Sequence, residues 1–366
     1  MNKLLVVNKG NIETEYDISL NEDFSGLTDY ISNKLGKKYA KICIVTDSEV
    51  ANIYLDEVKT LLNNLDSTIF SHVFEAGEAS KNWDTLNKLY EDLIKFKMDR
   101  NDLLVALGGG VVGDLTGFCA ATYLRGIDYI QVPTTLLSQV DSSIGGKTAI
   151  DFMKYKNMVG AFYMPRLVYI NVNTLKTLDS KQFSSGMGEV IKHGLIQDNH
   201  YYEYIWSNKD KIKNKAVNSL IELIYGSCLI KARVVEEDPK EKGIRAYLNF
   251  GHTVGHAIEK LSDYKLFHGE CVALGMMSSL YISNKLGFVS KEEVDNVRKL
   301  LDFFDLRTRL DTSDFDKKAV LEATKSDKKM DNNRIKFVVL KEIGRAEINR
   351  DLSDEMLLKS ISYILE

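Results

Sequence analysis

Apolar positions fall into two textures along the chain. In the first half, short apolar runs alternate with stripes of helical period. Residues 41–46 (Lys-Ile-Cys-Ile-Val-Thr) predict a buried strand, and 52–63 follow with Ile53, Leu55, Val58, Leu61 and Leu62 at helical spacing. Residues 83–96 predict an amphipathic helix with Leu86, Leu89, Tyr90, Leu93 and Ile94 on one stripe. Two further strands are predicted over 103–107, which runs into glycines, and over 128–132. Strands alternating with helices imply parallel pairing through right-handed crossovers, a Rossmann-like architecture. From 181 to 323 the patterns are long and helical, and only 334–340 and 346–349, around Gly344, predict a late hairpin. The expected fold is α/β, with a Rossmann-like N-terminal domain over 1–180 and a mainly α-helical C-terminal domain over 181–366.

Composition narrows the partners. The 366 residues are 44% hydrophobic and 27% charged, which is ordinary for a globular protein. A net charge of -4 gives no basic field for nucleic acid or an anionic membrane, so neither is an expected partner. Any bound anion must be met by local Lys and Arg clusters. Cys43, Cys119, Cys228 and Cys271 have no C-x-x-C spacing, which suits a reducing compartment better than a disulfide framework or a zinc ribbon. Near the N-terminus only four apolar residues run together, too few for a signal-peptide core, and no stretch is long enough to span a bilayer. A cytoplasmic location is the expectation.

Three motifs carry chemistry. Gly108-Gly-Gly-Val-Val-Gly-Asp114 follows a strand, opens a helix and satisfies G-x-G-x-x-G, so its backbone N–H groups could approach a pyrophosphate. The alternative is a tight strand-to-helix turn with no ligand. Gly145-Gly-Lys-Thr148 is not a phosphate loop of the Walker type, because Asp141 stands where that loop needs glycine. In Asn249-Phe-Gly-His-Thr-Val-Gly-His256 the i, i+4 spacing puts two imidazoles on one helix face, but Thr253 stands where a metalloprotease carries its general-base glutamate. A metal site needs a third ligand, from His268 or a carboxylate such as Glu189; the alternative is a pair of hydrogen-bonded core histidines. Lys147, Lys156, Lys192, Lys231 and Arg245 border these motifs, and Glu189 and Lys192 share a helix face at i, i+3. Taken alone, that pair could be a simple ion pair of little energetic weight.

Read in order, these segments resemble the 3-dehydroquinate synthase family over nearly the whole chain. The resemblance rests on Gly77-Glu-Ala-Ser-Lys81, the glycine run at 108–114, Tyr123-Leu-Arg-Gly126, Gln131-Val-Pro-Thr-Thr-Leu-Leu137 and Asp141-Ser-Ser-Ile-Gly-Gly-Lys-Thr148. It continues through Lys156-Asn157, Gly188-Glu-Val-Ile-Lys-His-Gly194, residues 249–259 and His268-Gly-Glu270. Two departures stand out: Tyr155 replaces a common glycine, and Leu178-Asp-Ser-Lys-Gln182 replaces Leu-Pro-x-Arg-Glu, so no cofactor role is carried to Lys181.

The resemblance implies a phosphate-eliminating carbon–oxygen lyase that turns 3-deoxy-D-arabino-heptulosonate 7-phosphate into 3-dehydroquinate, a step of aromatic amino acid biosynthesis. It implies transient oxidation by NAD, phosphate elimination, re-reduction and an intramolecular aldol closure. The metal ligands fall on Glu189, His252 and His268, for one divalent ion, zinc or cobalt. NAD contacts fall on Asp47, Glu78, Lys81, Gly109, Gly110, Asp114, Thr134, Thr135, Lys147, Lys156 and Thr177. Lys231 and Arg245 would meet the substrate carboxylate; Lys147, Asn157, His256 and Lys328 or Lys329 would meet its phosphate. Asp141, Lys192, Glu241, Asn249 and His256 would organise hydroxyls and protons, and Arg125 would reach across a homodimer interface. A neutral polyol would need no such set of cations, which separates this reading from that of a polyol dehydrogenase; intact Glu189, His252 and His268 argue against an inactive scaffold.

Overall fold

The computed structural model describes residues 2–8, 14–153, 155–239, 243–263, 265–311, 315–325, 330–331 and 334–365. The chain folds as two compact units, Met1–Leu178 with Leu220–Ala232, and Asp179–Ser219 with Arg233–Glu366. A single boundary near 180 therefore leaves out one feature: the middle of the helix Val217–Glu237 packs with the first unit. That 21-residue helix has an unbroken apolar pattern, so no local signal marks the change.

The first unit is built on a seven-stranded sheet. Its strands are β1 (Lys3–Val7), β2 (Tyr16–Asn21), β3 (Lys41–Asp47), β4 (Thr68–Phe74), β5 (Leu103–Gly108), β6 (Asp128–Pro133) and, after the two-stranded ribbon β7 (Lys147–Phe152) and β8 (Tyr155–Phe162), β9 (Leu167–Asn171). The order is β1-β2-β9-β6-β5-β3-β4, parallel throughout except for the antiparallel β1–β2 pair. The residues predicted as strands lie in β3, β5 and β6. Their near-continuous apolar runs follow from burial on both faces. Ile42 and Ile44 pack on one face with Leu103, Val105 and Leu107, while Cys43 and Val45 pack on the other with Leu104 and Ala106.

From β3 the chain moves outward to β4, then returns to place β5 on the other side of β3. The crossovers thus diverge between β3 and β5, where sheets of this topology leave a crevice beyond the carboxyl ends of the strands. Open α/β sheets bind ligands at such a point. Asp47 ends β3, Gly108 ends β5, and Thr134 follows β6, so the topology brings three distant motifs to one edge.

In the second unit, the helix Ser180–Gln197 is buried along its whole length from Phe183 to Ile196. A helix that is buried all round needs its polar groups paired with one another. Helices His252–Leu261 and His268–Lys285 pack in the same unit, and the predicted late hairpin is present as Phe337–Glu342 paired antiparallel with Arg345–Asn349. Among the described residues, no helix is long and apolar enough to cross a membrane. All four cysteines are free and buried, and burial pushes the Cys43 and Cys228 thiols up to about 12, so they behave as core residues.

Candidate active site

In the first unit the glycine run joins the end of β5 to a helix, as its spacing predicts. Gly109 caps the helix Gly110–Thr122, whose first turn carries no acidic residue, so the positive helix end faces outward unopposed. Gly113 serves packing: a Cβ there would lie 2.5 Å from Gln131 Oε1 on β6, so a larger residue would make that buried side chain move. Thr134 N–H donates to Gly108 O at 2.9 Å, and the Thr135 hydroxyl lies 2.8 Å from Ser138 Oγ, which fixes the loop after β6. Asp47 accepts from the N–H groups of Glu49 (3.0 Å) and Val50 (2.8 Å), capping the next turn while standing at the crevice. Thr177 shares a hydrogen bond with Tyr54.

Lys81 is the hub beside this edge. It is 5% exposed, pairs with Asp114 Oδ2 at 2.6 Å, lies 4.0 Å from Glu78 Oε1 and donates to Asn157 Oδ1. Burial opposes its charge, but Asp114 and Glu78 hold its pKa above the ordinary lysine value. Lys156 Nζ lies 3.9 Å from the same Glu78 oxygen. Asp151 completes the frame: its N–H donates to Lys81 O and its Oδ1 accepts from Asn157 N–H, both at 2.8 Å. Asn157 sits at φ 53, a left-handed conformation that asparagine tolerates better than most residues. Asp151 was not singled out from sequence, since a lone aspartate between Ile150 and Phe152 gives no signal until β7 and β8 pair.

A cleft of about 420 Å³ opens in this unit, lined by Asp114, Asp141, Lys147, Asn157 and Lys231 among others. That volume suits a small ligand. Lys231 reaches it because its helical segment belongs to this unit; its ammonium pairs with Asp141 Oδ1 at 2.6 Å and also donates to Asp141 O. Arg125 lies apart from this group, exposed and at φ 66 in the turn after the helix Gly110–Thr122.

The second unit holds the metal-type cluster. Glu189 is fully buried, and Lys192, also buried, donates to its Oε2. That contact turns the other oxygen, Oε1, toward two imidazoles: His252 Nε2 and His268 Nε2 each lie 3.6 Å from it. Two ligands of one tetrahedral zinc, each about 2.0–2.2 Å from the ion, stand roughly 3.4 Å apart, so the spacing suits a shared ion better than direct hydrogen bonds. One donor atom from each of the three residues lies within 4.8 Å of the others. His252 Nδ1 is 3.2 Å from Phe250 O, and His268 Nδ1 is 3.5 Å from Glu259 Oε2. Burial works against a charge on His268, yet Glu189 and Glu259 push its pKa up to about 9, so ion uptake there must release a proton.

His256 lies beside both, its ring edge-on to His252 with centroids 5.0 Å apart and tilted against His268 at 5.9 Å. Arg245 is 2% exposed and donates through Nη1 to Pro239 O at 2.8 Å. Asn249 ends the short helix Ile244–Asn249 that leads into the His252 helix. Glu241, Lys328 and Lys329 lie outside the described residues.

Comparison with known proteins gives one answer. Residues 71–185 match a family profile described as 3-dehydroquinate synthase N-terminal, and 186–330 match 3-dehydroquinate synthase C-terminal. The 3-dehydroquinate synthase of Acetivibrio thermocellus is 44% identical over 350 residues, 95% of this chain and 96% of the relative. That of Syntrophotalea carbinolica is 46% identical over 308 residues, 83% of this chain and 84% of the relative. In fold the chain is similar to 2-deoxy-scyllo-inosose synthase complexed with carbaglucose-6-phosphate, NAD+ and Co2+, with TM-score 0.88, 24% identity, and coverage of 99% and 100%. It is likewise similar to the 2-epi-5-epi-valiolone synthase of Streptomyces hygroscopicus with NAD+ and Zn2+ bound, at TM-score 0.87, 22% identity, and coverage of 95% and 96%.

Proposed function

The chain belongs to the 3-dehydroquinate synthase family, and from that membership we propose how its residues divide the labour of the reaction. The reaction converts 3-deoxy-D-arabino-heptulosonate 7-phosphate into 3-dehydroquinate and phosphate, with NAD and one divalent ion as cofactors. The observation that carries the residue assignment is the convergence of Glu189, His252 and His268, whose donor atoms lie within 4.8 Å of one another.

When bound, the ion supplies a Lewis acid for substrate oxygens, and NAD supplies a hydride acceptor that is restored within each turnover. Glu189, His252 and His268 hold the ion; a carboxylate with two imidazoles is a donor set suited to zinc or cobalt, with positions left for hydroxyl ligands. Lys192 neutralises the buried Glu189 and fixes which of its oxygens is offered. Gly109 and Gly110, at the start of their helix, receive the pyrophosphate, while Asp47, Thr134, Thr135 and Thr177 border it. Lys81, held by Asp114 and Asn157, and the Glu78–Lys156 contact keep that border rigid.

We assign Lys231 and Arg245 to the substrate carboxylate and Lys147, Asn157 and His256 to its phosphate. Charged ends met by fixed cations orient the carbons between them. Asp141 and Asn249 are assigned to hydroxyl groups, with His256 and Lys192 available for proton movement. A homodimer in which the exposed Arg125 serves the partner's site belongs to the same reading. Exhaustive chelation is expected to reduce phosphate release to background, with zinc or cobalt restoring it. Turnover that survives chelation would sink the metal assignment.

A further inference from the structure

Glu259 has no role in the assignments above, yet its placement is specific. On the helix His252–Leu261 it stands at i+7 from His252 and i+3 from His256, so the three side chains share one face. It is 5% exposed. A buried carboxylate is costly unless something nearby uses its charge. The group it faces is His268: Glu259 Oε2 lies 3.5 Å from Nδ1, while Glu189 Oε1 lies 3.6 Å from Nε2 of the same ring. His252 repeats the pattern, with Nδ1 at the Phe250 carbonyl and Nε2 at Glu189.

We infer that Glu259 is a positioning residue for the metal ligand His268. At 3.5 Å the contact is an ion pair, and a carboxylate on that side favours the proton on Nδ1 and leaves the Nε2 lone pair for the Glu189–His252 pocket. It also fixes the ring's rotation and raises its basicity as a ligand, which is how partners behind metal-bound histidines act. His256, Glu259 and His268 also bring donor atoms within 4.8 Å of one another. An ion held there would use Nδ1 of a ring whose Nε2 already serves the first site. That ring would have to lose both its protons, which disfavours the second arrangement. The inference rests on the metal site assigned above.

The test is Co2+ binding to chelator-stripped wild type, Glu259→Gln and Glu259→Ala, by competition with a chelator of known affinity and by the visible absorption of bound Co2+. Circular dichroism and melting of the metal-free forms check that each variant is folded. One ion per chain is expected throughout. Affinity should fall about 10–100-fold in the alanine variant and less in the glutamine variant, which keeps an acceptor oxygen without the charge. If the alanine variant fails to fold, the glutamine variant and its altered Co2+ spectrum carry the test. Wild-type affinity and spectrum in a folded variant would overturn the inference. So would two ions per chain in wild type falling to one in Glu259→Ala, since Glu259 would then be a ligand itself. If wild type binds no Co2+, the metal site is refuted and the inference falls with it.

Discussion

At the scale of single residues, one buried charge is answered directly by another at Lys81 and Asp114. Lys81 and Asp114 are 5% and 16% exposed and lie 2.6 Å apart, so removing one leaves the other uncompensated. Lys81→Met should therefore cost about 3–5 kcal/mol of stability. Replacing both partners, as Lys81→Met with Asp114→Asn, should recover much of that loss, because no lone charge remains. Urea denaturation of the two singles and the double checks this, and simply additive losses would contradict it. The motifs named Lys81 and Asp114 in advance, since each sits in a short segment shared with the family. They did not name Asp151 or Glu259, because each acts through a neighbour that only folding supplies: the β7–β8 turn in one case, a ring on the next helix in the other.

At the scale of elements, the geometry of the proposed metal ligands is set by how closely helices approach. Gly269 follows His268, and a Cβ there would lie 2.0 Å from Ser185 O on the helix that carries Glu189. Gly269 N–H also donates to Ser185 Oγ at 3.0 Å. Gly269→Ala must push the two helices apart and separate His268 from Glu189. It is expected to weaken Co2+ binding on the order of tenfold or more, as displaced ligand support does, besides lowering the melting temperature. A lower melting temperature with unchanged Co2+ affinity would show that the close approach serves packing alone. Element type was legible where the apolar pattern was strong: β3 and β5 are continuous apolar runs, and the helix Trp83–Lys95 buries Leu86, Leu89 and Leu93 as predicted, although Ile94, expected on the same stripe, is exposed. It was not legible in β8, whose residues are exposed or half-buried with Val159 and Ala161 packed on the core; over 52–63 the predicted helix is present, with π-helical turns at Ala51–Leu55 before the α-helix Asp56–Leu62. The i, i+4 histidines predicted a shared face correctly; which third and fourth groups joined them depended on tertiary packing.

At the scale of the whole molecule, the chain carries two kinds of equipment that a simple dehydrogenase or a simple hydrolase would not combine. One unit has a glycine run that opens a helix at the divergence of β3 and β5, and the other has a carboxylate–imidazole cluster paired with a buried lysine. A redox cofactor restored within each cycle and a leaving phosphate together explain why hydride equipment and anion-binding cations occur in one protein. The most direct measurement follows from that combination. The zinc- or cobalt-loaded protein is given 3-deoxy-D-arabino-heptulosonate 7-phosphate with NAD far below the substrate concentration, and phosphate, 3-dehydroquinate and NADH are quantified in the same reaction. Equal amounts of phosphate and 3-dehydroquinate, many turnovers per NAD and no accumulating NADH are expected. Phosphate released without the carbocycle, or NADH rising in step with product, would contradict it.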